Sequence, residues 1–106
     1  MQILGEEYNL LFKNESEDAR LQDKYGYTDW TNKTIVIQED LPNDGDSLSD
    51  LEQFKKKVIR HEIVHAFFNE SGLRECSEYA WNEELIDWIA VQIPKIVNIM
   101  QSVDVL

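Results

Sequence analysis

The chain has 106 residues, 42% of them apolar, and a formal net charge of −11 from 21 acidic and 10 basic side chains. That length supports one domain with a modest core. The acidity sets the chain against phosphate backbones and anionic lipid, so neither nucleic acid nor membrane is an expected partner.

The first residues, MQILGEEYNLLFKNESED, lack the basic start and apolar run of a secretory leader. Nowhere does an apolar stretch reach the ~18 residues of a membrane span. A single cysteine, Cys76, permits no internal disulfide and fits a reducing compartment, so a cytoplasmic protein is expected. The Asn-x-Ser/Thr triplets at Asn14, Asn32 and Asn69 are accordingly read as chance. Residues 8–12 form either a strand or the start of a short helix, because periodicity does not separate the two. The runs YGYTDW at 25–30 and TIVIQ at 34–38 are rich in aromatic and β-branched residues, with Thr31, Asn32 and Lys33 as a tight turn between them. An antiparallel hairpin is predicted there. Pro42, Asn43, Asp44, Gly45 and Asp46 mark a loop.

The rest reads as helix. Ser49 and Glu52 form a capping box, with Ser47 and Asp50 as the alternative. From Leu51 no breaker interrupts the pattern until Asn69, and Gly72 supplies the stop. Ile59, Ile63, Ala66 and Phe67 make one apolar stripe, while Val58, Val64 and Phe68 cover other directions, so this helix is expected to be buried on several sides. A second helix starts near Trp81 and Asn82, with Glu83 and Glu84 suited to its positive end. Trp81, Leu85, Trp88 and Ile89 are its expected core-facing stripe, and Pro94 kinks or restarts it, leaving 95–103 as a last amphipathic segment. The fold class is α+β: a single domain over 1–106, β-rich to about residue 40 and helical from about 48 to 103.

What stays polar in the apolar part of the first helix is Arg60 and the run His61-Glu62-Ile63-Val64-His65. These are the only two histidines in the chain, spaced i and i+4, so both imidazoles lie on one face and can reach one ion. Glu62 projects elsewhere and can hold a water in the ion's open position. Two ordinary buried histidines are the bland alternative, but the metal spacing and the interposed glutamate favour a site. A catalytic zinc takes a third protein ligand and leaves its fourth position to water. Glu83 and Asp87, four apart at the start of the next helix, share a face. Glu83 is the candidate third ligand, Asp87 the acceptor for the outer N–H of a ligand histidine, and Glu84 the rival to Glu83. Cys76 is read as a free thiol rather than a competing thiolate ligand, and Lys55, Lys56, Lys57 and Arg60 as a solvated face, with binding to acidic residues of this chain or a partner as the alternative.

HEIVH followed by NEELID resembles the gluzincin branch of zinc metallopeptidases, with its HExxH…NExxxD pattern, and the compact metallopeptidase domains of phage and mobile-element proteins. The resemblance implies Zn2+ held by His61, His65 and Glu83, Glu62 as general base, and Asp87 orienting the first histidine. It also implies a minimal zincin-like fold in which a small antiparallel sheet or hairpin packs on the active-site helix and the glutamate-bearing helix. The separation from His65 to Glu83 (83 − 65 = 18) suits two packed helices joined by a short connection. The family pattern usually adds a histidine or tyrosine to stabilise the oxyanion. No third histidine exists, so Tyr79, with Tyr27 and Tyr25 behind it, is the candidate. The implied activity is zinc-dependent peptide-bond hydrolysis on a protein or peptide, one dedicated partner, laid along the outer strand of the hairpin. The alternative is a non-catalytic, zincin-like metal-binding module with a regulatory or interaction role.

Overall fold

A strand with hydrophobic residues on both faces belongs in the middle of a sheet, and TIVIQ is such a strand. In the computed structural model, which describes residues 1–41 and 48–106, this segment is β5, Thr34–Gln38, and all but its first residue are buried. It lies between β3, Asn9–Lys13, and β4, Gly26–Asp29, in the order β3-β5-β4. β4 pairs antiparallel with β5, from Gly26 opposite Ile37 to Asp29 opposite Thr34, which is the expected hairpin. Asp29 builds its turn: its Oδ1 accepts the N–H groups of Thr31 and Asn32, each at 3.1 Å. Lys33 closes it in the left-handed region at φ 52°.

Two features were not anticipated. β3 joins the other side of β5 in parallel register, Asn9 opposite Thr34 through Lys13 opposite Gln38, so the sheet is mixed rather than purely antiparallel. The ambiguous run at 8–12 is therefore a strand. Before it, β1, Gln2–Ile3, and β2, Glu6–Glu7, form a second, two-stranded antiparallel sheet. Leu4 and Gly5 turn between them with φ of 49° and 87°. Such turns favour Asn-Gly or Asp-Gly, so a leucine in the first position concealed this one.

The described residues include three helices: α1, Leu48–Glu70; α2, Leu73–Cys76; and α3, Glu83–Ser102. The loop at 42–46 and the two capping boxes, which rest on Ser47 and the Ser49 side chain, lie outside the described residues. α1 packs across the sheet through a core of Ile3, Tyr8, Ile35, Ile37, Val58 and Ala66, with Leu10, Phe54, Ile59 and Ile63 against it. Gly72 ends the helical run at φ 83°, donating its N–H to the Asn69 carbonyl at 3.2 Å. α2 and a 3-10 turn at Glu78–Trp81 fill the connection to α3.

The stripe expected on α1 holds except at Phe67, which is exposed: Ile59 and Ile63 pack on the core, Ala66 is buried, and Val58 and Val64 are buried in other directions. The stripe expected on the second helix is corrected. On α3, Ile86 and Ala90 are buried, whereas Trp88 is 56% exposed, and Trp81, which closes the 3-10 turn before the helix, is 55% exposed. The polar residues that α3 turns toward α1 decide this. Glu83 and Asp87 face the α1 histidines, so the residues beside them on the helix, Ile86 and Ala90, form the buried flank and Trp88 is rotated outward.

α3 also runs without a restart through Pro94. A proline has no N–H for the carbonyl four residues earlier, here that of Ala90. That carbonyl instead accepts Nε of Arg60 on α1, at 2.6 Å. Of the basic run, Lys56 is exposed, Lys55 Nζ lies 4.6 Å from the Phe12 ring centre, and Lys57 follows the alternative open to it by pairing with an acidic residue of this chain, Asp87.

Candidate metal centre

α1 and α3 cross where the sequence motifs lie. His61 and His65 come from α1, one turn apart, and their rings stand 5.0 Å apart, centre to centre. Glu83 is the first residue of α3, and its position is set locally by Asn82. The Asn82 side chain accepts the Leu85 N–H at 2.9 Å, a side-chain cap that starts the helix at the glutamate.

The Glu83 carboxylate reaches both imidazoles. Its Oε2 lies 2.9 Å from His61 Nε2 and its Oε1 3.0 Å from His65 Nε2. One ligand atom from each of the three residues falls within 4.8 Å of the others, and among the described residues no other His, Cys, Asp or Glu cluster does so. Ligands bonded to a tetrahedral zinc at ~2.0–2.2 Å stand roughly 3.4 Å apart. The donor set of two neutral-capable imidazoles and one carboxylate therefore suits such an ion with shifts of about an ångström. Glu84 is exposed and outside this set, and Cys76 is likewise exposed, its Sγ 3.4 Å from the Gly72 carbonyl oxygen.

Behind the cluster, Asp87 Oδ1 lies 3.2 Å from His61 Nδ1, which leaves Nε2 as the nitrogen turned toward Glu83. The same Oδ1 accepts Lys57 Nζ at 3.1 Å. Burial alone would raise the Asp87 carboxyl, but the hydrogen bonds from Lys57 and His61 outweigh it and hold the group below its ordinary value. Lys57 is one turn before His61 and so shares its face. That spacing was the available signal for its role, obscured by the run of lysines around it.

Glu62 is 7% exposed, on the side of α1 that meets β4. Its Oε1 accepts the Thr28 hydroxyl at 2.9 Å, and that hydroxyl is also 3.0 Å from the Glu62 main-chain oxygen. Burial pushes the Glu62 carboxyl above its usual value, opposed by the Thr28 hydrogen bond and by His65 and His61. Thr28 had no motif to mark it; it is opposite Glu62 only because β4 lies against α1. Gly26, two residues earlier on the same strand, is required by the sheet: a Cβ there would be 2.9 Å from the Val36 main-chain oxygen, while Glu62 Cγ, at 3.4 Å, would be in ordinary contact.

These residues line a cleft of about 530 Å3, walled by Tyr25, Gly26, Tyr27, Thr28 and Trp30 of the hairpin and by Lys57, His61, Glu62, His65, Glu83 and Asp87 of the helices. Tyr79, the first choice as oxyanion donor, is not among them; it is 66% exposed in the 3-10 turn. Tyr27 is in the wall, but its hydroxyl donates to Asp18. Burial and that bond raise it to about 12. Tyr25 is half exposed, packed edge-on against Phe54.

The arrangement combines convergent His and Glu donors that could hold a metal ion, a carboxylate behind one histidine, and a buried glutamate beside the cluster. No protein-family model matches the chain, and no curated protein or solved structure matches it either. Its geometry is thus the ground on which a function can be assigned. Among the described residues no helix is long and apolar enough to cross a membrane.

Proposed function

We propose that the chain is a small zinc metallopeptidase of minimal zincin-like fold, acting on a protein or peptide in the cytoplasm. The observation that carries this is the convergence of His61 and His65 Nε2 on the Glu83 carboxylate, with Asp87 on the far nitrogen of His61. A zinc ion would be held by those three side chains; when bound, it supplies a Lewis acid for a carbonyl oxygen and acidifies a water.

The chain's own residues account for the remaining chemistry. Glu62, with a proton affinity raised by burial, suits taking a proton from the attacking water and returning it to the leaving amine. Thr28 orients the acceptor oxygen Oε1 for that transfer. Of the three tyrosines considered, Tyr25 is the one that both lines the cleft and has, among the described residues, no hydrogen bond on its hydroxyl, and it replaces Tyr79 as the oxyanion donor. β4 is an edge strand at the cleft, and an extended peptide can add to it, leaving its scissile bond over the metal cluster. The hairpin wall offers substrate side chains the aromatic rings of Tyr25, Tyr27 and Trp30, while the helical wall is charged.

The deciding experiment is metal content and peptide hydrolysis measured together on wild type, Glu62→Gln, Glu83→Ala and Glu84→Ala. One zinc per chain in wild type, Glu62→Gln and Glu84→Ala, with loss in Glu83→Ala, is expected, and hydrolysis should vanish in Glu62→Gln. Zinc retained in Glu83→Ala would remove the third ligand. Zinc retained throughout with no cleavage of any peptide library would leave the chain as a metal-binding module.

A further inference from the structure

The segment that delivers Glu83 is pinned from outside the cluster by three stacked side chains. Arg74, on α2, has its guanidinium carbon 3.4 Å from the centre of the Trp30 ring and 4.3 Å from that of Trp81. The two indoles meet edge to face at 6.2 Å, and the Trp81 N–H donates to the Arg74 carbonyl at 3.0 Å. Trp30 belongs to the β4–β5 turn and the cleft wall, and Trp81 is the residue before Asn82, the cap of α3. Sheet, α2 and the start of α3 are thus joined at one point.

Arg74 is an unusual choice unless the rings are its purpose. In a chain with 21 acidic side chains, it forms no salt bridge among the described residues, and its Nε is buried with no hydrogen-bond partner. Aromatic faces hold the cation in place of a carboxylate. Nor does Trp81 serve the core, since it is more than half exposed.

Glu83 needs such support. It is the first residue of its helix, its side chain is largely exposed, and the chain between it and α1 is held by only one helical turn and a 3-10 turn. If that connection were loose, ion binding would have to order it, and the ordering entropy would be subtracted from the affinity.

We propose that Arg74 is a positioning residue for the metal cluster, its guanidinium clamped between Trp30 and Trp81 so that Glu83 stands against His61 and His65 before an ion arrives. The inference rests on the metal reading of that cluster. The test is Zn2+ affinity, by competition with a chelating dye, of wild type, Arg74→Ala, Arg74→Lys and Trp81→Leu, beside the thermal melting of each metal-free protein and the visible spectrum of its Co2+ form.

Arg74→Ala and Trp81→Leu should each lower Zn2+ affinity by about 10- to 100-fold, the usual range for groups that support a ligand, and alter the Co2+ spectrum. Arg74→Lys, which keeps a cation between the rings, should recover part of the loss. Metal-free melting should move by only a few degrees, and Trp81→Leu carries the test if Arg74→Ala does not fold. Zn2+ affinity within twofold of wild type in the folded variants, with an unchanged Co2+ spectrum, overturns the positioning role while leaving the metal site standing. Wild-type protein that takes up no Zn2+ overturns both.

Discussion

Replacing Asp87 by asparagine separates its charge from its shape. In the wild type one oxygen, Oδ1, serves two partners, His61 Nδ1 at 3.2 Å and Lys57 Nζ at 3.1 Å. An asparagine oxygen can still accept from His61, so ring orientation and tautomer are largely kept. What is lost is the negative charge that strengthens the imidazole as a donor and that neutralises Lys57 beside an incoming dication. Substitutions of this kind cost about 10- to 100-fold in metal affinity. The Asp87 side chain is 44% exposed, so water compensates part of the loss, and the lower end, about tenfold or ~1.4 kcal/mol, is expected. Competition titration with Zn2+ at neutral pH measures it directly. Lys57→Met should cost less alone, and the double variant should be non-additive because both partners share one oxygen. An Asp87→Asn affinity within twofold of wild type, or strict additivity with Lys57→Met, would refute the chain of interactions from Lys57 through Asp87 to His61.

Gly26→Ala should destabilise the fold by ~1–3 kcal/mol, because the new methyl would be 2.9 Å from a main-chain oxygen of the paired strand that cannot give way; an unchanged denaturant midpoint would contradict this. Arg60→Met should lower stability by ~2 kcal/mol by leaving the Ala90 carbonyl unpartnered. Adding Pro94→Ala in that background returns an N–H to Ala90 and should recover part of the loss in urea unfolding. Alkaline stability should fall between pH 10 and about 12. Burial, with the hydrogen bond to Glu70, raises Tyr8 from 10.0 to about 12, so in that window the unfolded chain has released a proton that the folded one still holds. Tyr8→Phe should flatten that descent, leaving the share due to Tyr27; a pH profile that keeps its full slope would show that Tyr8 contributes nothing to it.

Much of this architecture is local and was readable as such. The α1 helix and its glycine stop, and the hairpin with its tight turn, follow from periodicity and from residues acting within a few positions of themselves. The HExxH spacing needs only a helix to bring His61 and His65 to one face, and NExxxD needs only a helix started by Asn82 to align Glu83 with Asp87. What failed depended on partners distant in sequence. The stripe predicted on α3 scored Trp81 and Trp88 by their hydrophobicity, but which flank is buried was decided by where α1 lies, and the smaller Ile86 and Ala90 fill that space. Pro94 reads as a kink or a restart because its consequence is an orphaned carbonyl, and only a second helix can offer Arg60 to it.

The sequence by itself determined the two long helices, the hairpin and the His61–His65 face, because periodicity and i,i+4 geometry operate within a single element; it narrowed the third ligand to Glu83 or Glu84, and the packing of α3 on α1 brings Glu83 to the histidines. The tertiary structure alone decided the parallel entry of β3 into the sheet, the pairing of Thr28 with Glu62, the sharing of Asp87 between Lys57 and His61, and the placing of Tyr25 and Tyr27, but not Tyr79, in the cleft wall. Each of those joins residues on different elements. The core of Ile35, Ile37, Val58 and Ala66 seats α1 on the sheet, and the buried Ile86 and Ala90 seat α3 on α1; neither packing result is contained in any short stretch of chain.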